Sequence, residues 1–222
     1  MSQIPDVTAL IPCYNEENRI AGVLRVVTNS SLVKKIVVVD DGSTDKSGEV
    51  VRQFREVILI NQKENKGKGE AVREGLWHID TTFTFMLDAD LKGFKEEHIE
   101  KLVKPVVEGK CDVCIGVWYM GGPIFQFFRR RMLVFSGQRV AKTKIFINAL
   151  KTPLTNDWGI EPWMNRYFRK NKLKVKIVDM IGLNHYKGQL KKVGFLKWLT
   201  VRPLFYLRVY TQMLFLDLLK GK

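Results

Sequence analysis

Apolar and polar positions along the chain fall into runs whose spacing alternates between two periods. Val7-Thr8-Ala9-Leu10-Ile11 is a short, nearly continuous apolar run, and the residues after it place Ile20, Val23, Leu24 and Val27 at helical spacing. Ile36-Val37-Val38-Val39 is β-branched and ends abruptly in Asp40-Asp41-Gly42-Ser43-Thr44-Asp45, a turn glycine among residues suited to capping a helix. Phe83-Thr84-Phe85-Met86-Leu87 is a third apolar run, and it ends in Asp88-Ala89-Asp90 before a helix expected from about Gly93-Phe94-Lys95. Strand-like stretches recur at Cys111 to Val117 and at Val175 to Asn184, with a helix expected through Pro162-Trp163-Met164. Strands alternating with helices predict one α/β domain with a mostly parallel sheet covered by helices on both faces. The 222 residues are enough for one sizeable core, and no repeat, low-complexity tract or Pro/Ser-rich linker divides them.

The ends of those strands carry the candidate chemistry. In an open α/β sheet, ligands bind at the edge where parallel strands leave it. Three such ends are polar here: Pro12-Cys13-Tyr14-Asn15-Glu16-Glu17, Asp40-Asp41, and Asp88-Ala89-Asp90. Paired carboxylates repel unless water or a cation lies between them, and hard divalent ions such as Mg²⁺ or Mn²⁺ favour oxygen ligands. The alternative for Asp90 is a solvated turn or a helix cap. A metal-bound diphosphate is the ligand that all three strand ends together suggest.

These segments resemble family 2 glycosyltransferases of GT-A fold. That family opens with a Pro-x-Tyr-Asn-Glu loop, continues with Val-Asp-Asp-Gly-Ser-x-Asp, and carries an Asp-x-Asp metal motif. Asn65-Lys66-Gly67-Lys68-Gly69-Glu70-Ala71 is similar to its Asn-x-Gly segment, which starts the helix before the metal strand. Four segments in order between residues 7 and 91 carry the resemblance, which in this half is closest to the dolichol-phosphate mannose synthase group. It implies that Pro12, Tyr14, Glu16, Asp40 and Gly42 hold the base and ribose and that Lys68 approaches the diphosphate. It further implies that Asp88 and Ala89 meet the sugar nucleotide and that Asp90, with His185, holds Mn²⁺ or Mg²⁺. His185 could equally be an ordinary surface or core histidine; His78 and His98 have no comparable context.

The second half matches more loosely. Ser136-Gly137-Gln138-Arg139 is similar to a segment found in some of these enzymes, and reads as lining the sugar and acceptor site, with Arg139 contacting phosphate or sugar. Family members carry an acid, or a Gly-x-x-Glu-like segment, near Asn156-Asp157-Trp158-Gly159-Ile160-Glu161; Asp157 fits the first and Glu161 the second. Either could take a proton from an acceptor hydroxyl, whereas a phosphate acceptor needs little deprotonation. Asp157 could instead cap the following helix.

Charge is distributed unevenly. Residues 1–119 hold 16 Lys and Arg against 19 Asp and Glu, a net of −3, whereas residues 120–222 hold 21 against 4, a net of +17. A basic half attracts nucleic acid, anionic lipid or a phosphorylated substrate. Gly121-Gly122-Pro123 leads into Arg129-Arg130-Arg131, an arginine cluster suited to phosphate or a solvated charge run. From Val193 to the end, Trp, Tyr, Phe and Leu are interrupted by Lys197, Arg202 and Arg208, so no stretch approaches the ~20 apolar residues that cross a bilayer. This reads as a basic amphipathic helical tail lying on an anionic membrane surface, or as a terminal helix packed on the domain. The expected organisation is a glycosyltransferase domain at 1–192, with a nucleotide-sugar half 1–119 and an acceptor half 120–192, then the tail 193–222.

Cys111-Asp112-Val113-Cys114 has redox or zinc spacing, but it has no second such pair and the chain has only three histidines, so it reads as buried structural thiols. Three cysteines fit a reducing compartment, and the start of the chain lacks the basic and apolar pattern of a secretory signal. The expectation is therefore a metal-dependent transferase at the cytoplasmic side, on a UDP- or GDP-linked sugar, with a polyprenyl phosphate as first acceptor, a soluble, protein or polysaccharide acceptor as second, and no nucleic acid partner. A nucleotidyltransferase lacks support, because the loop after the first strand is acidic and free of glycine. A non-catalytic membrane-surface module would leave the strand-end acids unexplained.

Overall fold

The computed structural model describes residues 5–118, 136–151 and 160–185. Nine strands and six helices lie among them: β1 (Val7–Cys13), α1 (Ile20–Thr28), β2 (Lys35–Asp40), α2 (Ser47–Val51), β3 (Val57–Asn61), α3 (Lys68–Trp77), β4 (Phe83–Met86), β5 (Leu91–Lys92), α4 (Glu96–Val107), β6 (Val113–Trp118), β7 (Arg139–Lys142), α5 (Thr143–Ala149), α6 (Ile160–Lys170), β8 (Val175–Met180) and β9 (Asn184–His185). Seven strands form one sheet in the order β3-β2-β1-β4-β7-β6-β8, and β5 pairs with β9 in a small second sheet. All pairings in the large sheet are parallel except those of β7, which runs antiparallel to both β4 and β6. The chain divides into Met1–Asn184 and a second unit from His185 onward. The expected tail, the arginine cluster at 129–131, Asp157 and the His185 side chain lie outside the described residues.

The central strands read as unbroken apolar runs because both faces of the sheet are covered. Successive side chains of β1 enter opposite cores: Val7, Ala9 and Ile11 pack with α1 and α4 on one face, and Leu10 packs with Val37, Val39 and α3 on the other. On α1, Ile20, Val23, Leu24 and Val27 are the buried residues, as their spacing predicts, and Arg25 points away from them. The second core extends through Phe146 of α5 to Met164 and Phe168 of α6. That packing fixes the start of α6, and with it Glu161.

All three cysteines are buried and free. Burial pushes the thiols of Cys13 and Cys114 up to about 12, so both stay protonated and unreactive at neutral pH. This agrees with structural thiols.

Asp6 ties the sheet's opposite end together. Its carboxylate accepts the Thr82 backbone N–H at 2.7 Å and the Thr82 hydroxyl at 2.8 Å, and pairs with Lys34 at 3.0 Å. Those Thr82 hydrogen bonds, then Lys34, lower its pKa from 3.8 to about 2. The folded state thus favours the anion, and its contribution is complete above 3.8 and disappears as pH falls through about 2. Asp6→Asn is expected to lower the unfolding temperature at neutral pH by an amount that shrinks to nothing near pH 2, measurable by circular dichroism melts across that range.

Candidate active site

The parallel register carries three loops to one sheet edge. Cys13 stands opposite Asp40, and Leu10 opposite Met86, so the residues after β1, β2 and β4 emerge side by side. The first two loops are joined by reciprocal hydrogen bonds. Asn15 N donates to Ser43 Oγ at 3.0 Å, while Asn15 Oδ1 accepts Thr44 N at 2.8 Å; Glu16 N donates to Ser47 Oγ at 2.7 Å, and Glu17 Oε2 accepts Lys46 N at 2.9 Å. Asn15 has a φ of 56°, a left-handed conformation that Asn adopts more readily than most residues. Asn15 is therefore a builder of the site, which the sequence reading left unassigned. Tyr14 next to it is exposed, and Glu16 pairs with Arg19.

The two adjacent aspartates at the end of β2 make different contacts. Asp41 turns inward, where its oxygens accept the backbone N–H groups of Lys66 and Gly67 at 2.8 and 2.9 Å; burial raises its pKa, with those hydrogen bonds opposing. It anchors the glycine-rich segment that starts α3. Asp40 accepts Ser43 N at 2.9 Å and lines a hollow of about 380 Å³ with Gly42, Gly48, Arg52 and Asn61. Asp40 and Gly42 thus both border this hollow. Pro12 occupies β1 opposite Val39.

At the β4 end, three charged side chains from distant segments meet. Lys68, the first residue of α3, places its ammonium 2.6 Å from Asp88 Oδ1 and 2.6 Å from Glu161 Oε1. Burial alone would lower the pKa of Lys68, but the two carboxylates outweigh it and the net shift is upward, so Lys68 is fully charged. Asp88 Oδ2 accepts Gln138 Nε2 at 2.7 Å, and Ser136 Oγ donates to Gln138 Oε1 at 2.6 Å. Gly137 is required beside it: a Cβ there would lie 2.1 Å from Asp88 Oδ1. Glu161 lies in the first turn of α6, where the helix dipole favours an anion. Ala89 is buried between the two aspartates, and Asp90 is half-buried.

Arg139 differs from its expected place. It is fully buried, with Nε donating to Ser136 O at 2.7 Å and one terminal nitrogen donating to Asn165 Oδ1 at 2.8 Å. Burial lowers its pKa to about 10 against the pull of Glu161 and Asp88. In this arrangement the guanidinium stands behind the acid cluster and holds it in place, instead of facing an acceptor. Asn165, which accepts from that guanidinium, had no local signal of its own.

Asp88 and Asp90 carry the hard oxygen donors that a divalent cation would favour. Among the described residues no group of three or more His, Cys, Asp or Glu forms a closed metal cage. Two carboxylates without a cage suit an ion that would arrive with a diphosphate and keep some of its water.

With this geometry the comparisons agree. The sequence model of glycosyl transferase family 2 matches residues 8–186. The chain belongs to glycosyl transferase family 2. Among relatives, a dolichyl-phosphate beta-glucosyltransferase (ALG5D) of Trichomonas vaginalis is 28% identical, over 85% of this chain and 68% of its own length. Glycosyltransferase GlyA of Streptococcus pneumoniae is 34% identical over 51% of this chain, and this chain spans only 17% of it. An undecaprenyl-phosphate 4-deoxy-4-formamido-L-arabinose transferase of Edwardsiella ictaluri is 34% identical over 46% of this chain and 34% of its own length. In structure, glucosyl-3-phosphoglycerate synthase of Mycobacterium tuberculosis, crystallised with Mn²⁺, UDP-glucose and phosphoglyceric acid, superposes with a TM-score of 0.69 at 20% identity, over 86% of this chain and 75% of the synthase. That likeness is one of fold, and the fold is GT-A.

Proposed function

We propose that this chain transfers a sugar from a nucleoside diphosphate donor to a polyprenyl phosphate, in a reaction that requires a divalent ion. The observation that carries this reading is the shared sheet edge, where the Asp40 hollow and the Lys68–Asp88–Glu161 cluster emerge from neighbouring strands and helices. Tyr14, Asp40 and Gly42 surround the base and ribose. Lys68 meets the diphosphate, and Asp88 and Asp90, with His185, hold the metal and the sugar nucleotide. A bound Mn²⁺ or Mg²⁺ offsets negative charge on the departing nucleoside diphosphate. Gln138 keeps one Asp88 oxygen occupied, so the carboxylate presents a fixed face. Glu161 serves as base for a hydroxyl acceptor; with a phosphate acceptor, already ionised, it orients Lys68.

The acceptor class is supported by the relatives named for dolichyl phosphate and undecaprenyl phosphate. The basic second half of the chain suits both the phosphate and an anionic membrane surface. Among the described residues no helix is long and apolar enough to cross a membrane. Action at the cytoplasmic face, with the tail from Val193 lying on the lipid, belongs to the same proposal.

Incubation with radiolabelled UDP- or GDP-sugars, Mn²⁺ and a short polyprenyl phosphate tests the acceptor. The expected product is labelled lipid that partitions into organic solvent. Label transferred only to soluble sugar, sugar phosphate or protein acceptors would move the assignment to those classes.

A further inference from the structure

We propose that His98 is a positioning residue for the metal-binding turn, acting by tying the chain that follows Asp90 to the chain that leads to His185; this rests on the metal-dependent donor site proposed above. His98 is buried, and both ring nitrogens are engaged. Nδ1 accepts the backbone N–H of Lys95 at 3.0 Å, and Nε2 lies 2.9 Å from the carbonyl oxygen of Ile181. Because one partner is a donor and the other an acceptor, the proton belongs on Nε2. The ring also stacks on Phe94, with centroids 5.9 Å apart and planes 17° apart.

The first bond is a local one, the part that Glu or Gln takes at the third position of a helix. The second is not local, since it spans 83 residues. It fixes the segment that leaves β8, which among the described residues pairs in the large sheet with β6 alone. Ile181 itself is exposed, so its side chain does little to hold that segment. At the same junction Gly93 has a φ of +74°, and a Cβ there would come 2.5 Å from Gly182 O, so the two segments touch backbone to backbone. Leu91 and Leu183 are both buried beside them. From this junction one chain runs back through β5 to Asp90, and the other runs on to β9, which pairs with β5. A shift of Ile181–Leu183 therefore passes to β5 and to the carboxylate next to it. Outer partners of this kind commonly change metal affinity 10- to 100-fold.

The test is calorimetric titration of UDP and of GDP, with Mn²⁺ and with EDTA, into wild type, His98→Asn, His98→Gln and Gly93→Ala, read on the diphosphate that gains with Mn²⁺ in wild type. Asn keeps an acceptor where Nδ1 stands but loses the reach to Ile181; Gln has an amide N–H long enough to restore that bond. His98→Asn is expected to lose about tenfold of the Mn²⁺-dependent gain in nucleoside diphosphate affinity, with binding in EDTA unchanged, and His98→Gln to recover most of it. Gly93→Ala, which forces the same junction from the other side, is expected to resemble His98→Asn. The inference is overturned if His98→Asn or Gly93→Ala keeps the full Mn²⁺ gain, if Gln is no better than Asn, or if binding in EDTA falls by the same factor as binding in Mn²⁺. A wild type with no Mn²⁺ gain for either UDP or GDP would instead remove the donor-site reading itself, and this inference with it.

Discussion

Asp90→Ala is expected to abolish sugar transfer and the metal-dependent part of nucleotide binding while leaving the fold intact. Asp90 stands just beyond the end of β4 and is only half-buried, so its removal takes a ligand from the metal without opening a hole in either core. Changes at such positions are usually within ±0.5 kcal/mol, about 2 °C or less in unfolding temperature for a chain of this size. Asp40→Ala is expected to weaken nucleotide binding with and without metal, because Asp40 faces the hollow on the β2 side. Mn²⁺-enhanced binding of UDP or GDP by the Asp90 variant would remove Asp90 from the metal site. An identical loss pattern in both variants would mean the two roles are not separate.

Glu161→Gln is expected to lower turnover on a hydroxyl acceptor by roughly 10²–10⁴-fold, the range for general-base catalysis, with donor affinity little changed. The amide keeps the size of the side chain, and Lys68 retains Asp88 as a charged partner at 2.6 Å. On a polyprenyl phosphate the drop is expected to be much smaller, since that nucleophile has no proton to lose at neutral pH. Measuring kcat for both acceptor types separates the two roles of Glu161. Wild-type turnover of a hydroxyl acceptor by Glu161→Gln would transfer the base role to Asp157, to be checked with Asp157→Asn.

Much of the nucleotide half was legible because its signals are local. The runs before Asp40 and Asp88 are apolar on both faces, and each ends in acids followed by turn residues, so strand, edge and candidate ligand are read from a dozen neighbouring positions. The helix at Ile20 was legible for the same reason. What the sequence hid depends on distant contacts. Lys68 and Glu161 meet across 93 residues, and no local pattern encodes that pair. β7 is four residues long and enters antiparallel between β4 and β6, too short for its alternation to stand out. Arg139 read as a phosphate or sugar contact because its segment resembles one lining the sugar and acceptor site; the structure buries it by supplying Ser136 O and the Asn165 side chain as acceptors. Asp40 and Asp41 are identical in type and adjacent, yet only Asp41 finds two backbone N–H groups, which belong to Lys66 and Gly67. His98 looked unremarkable for the same reason, since its decisive partner, Ile181, lies on another segment.

The most direct measurement of the central claim is calorimetric binding of UDP and GDP to the full chain in Mn²⁺ and in EDTA, with UMP and GMP as controls. One nucleoside diphosphate is expected to bind at least about tenfold more tightly in Mn²⁺, a gain of about 1.4 kcal/mol, while the matching monophosphate gains little because it lacks the second phosphate that brings the ion to Asp88 and Asp90. Equal affinity in Mn²⁺ and EDTA for both diphosphates, or no binding of either, would contradict a metal-dependent nucleotide-sugar site at this sheet edge.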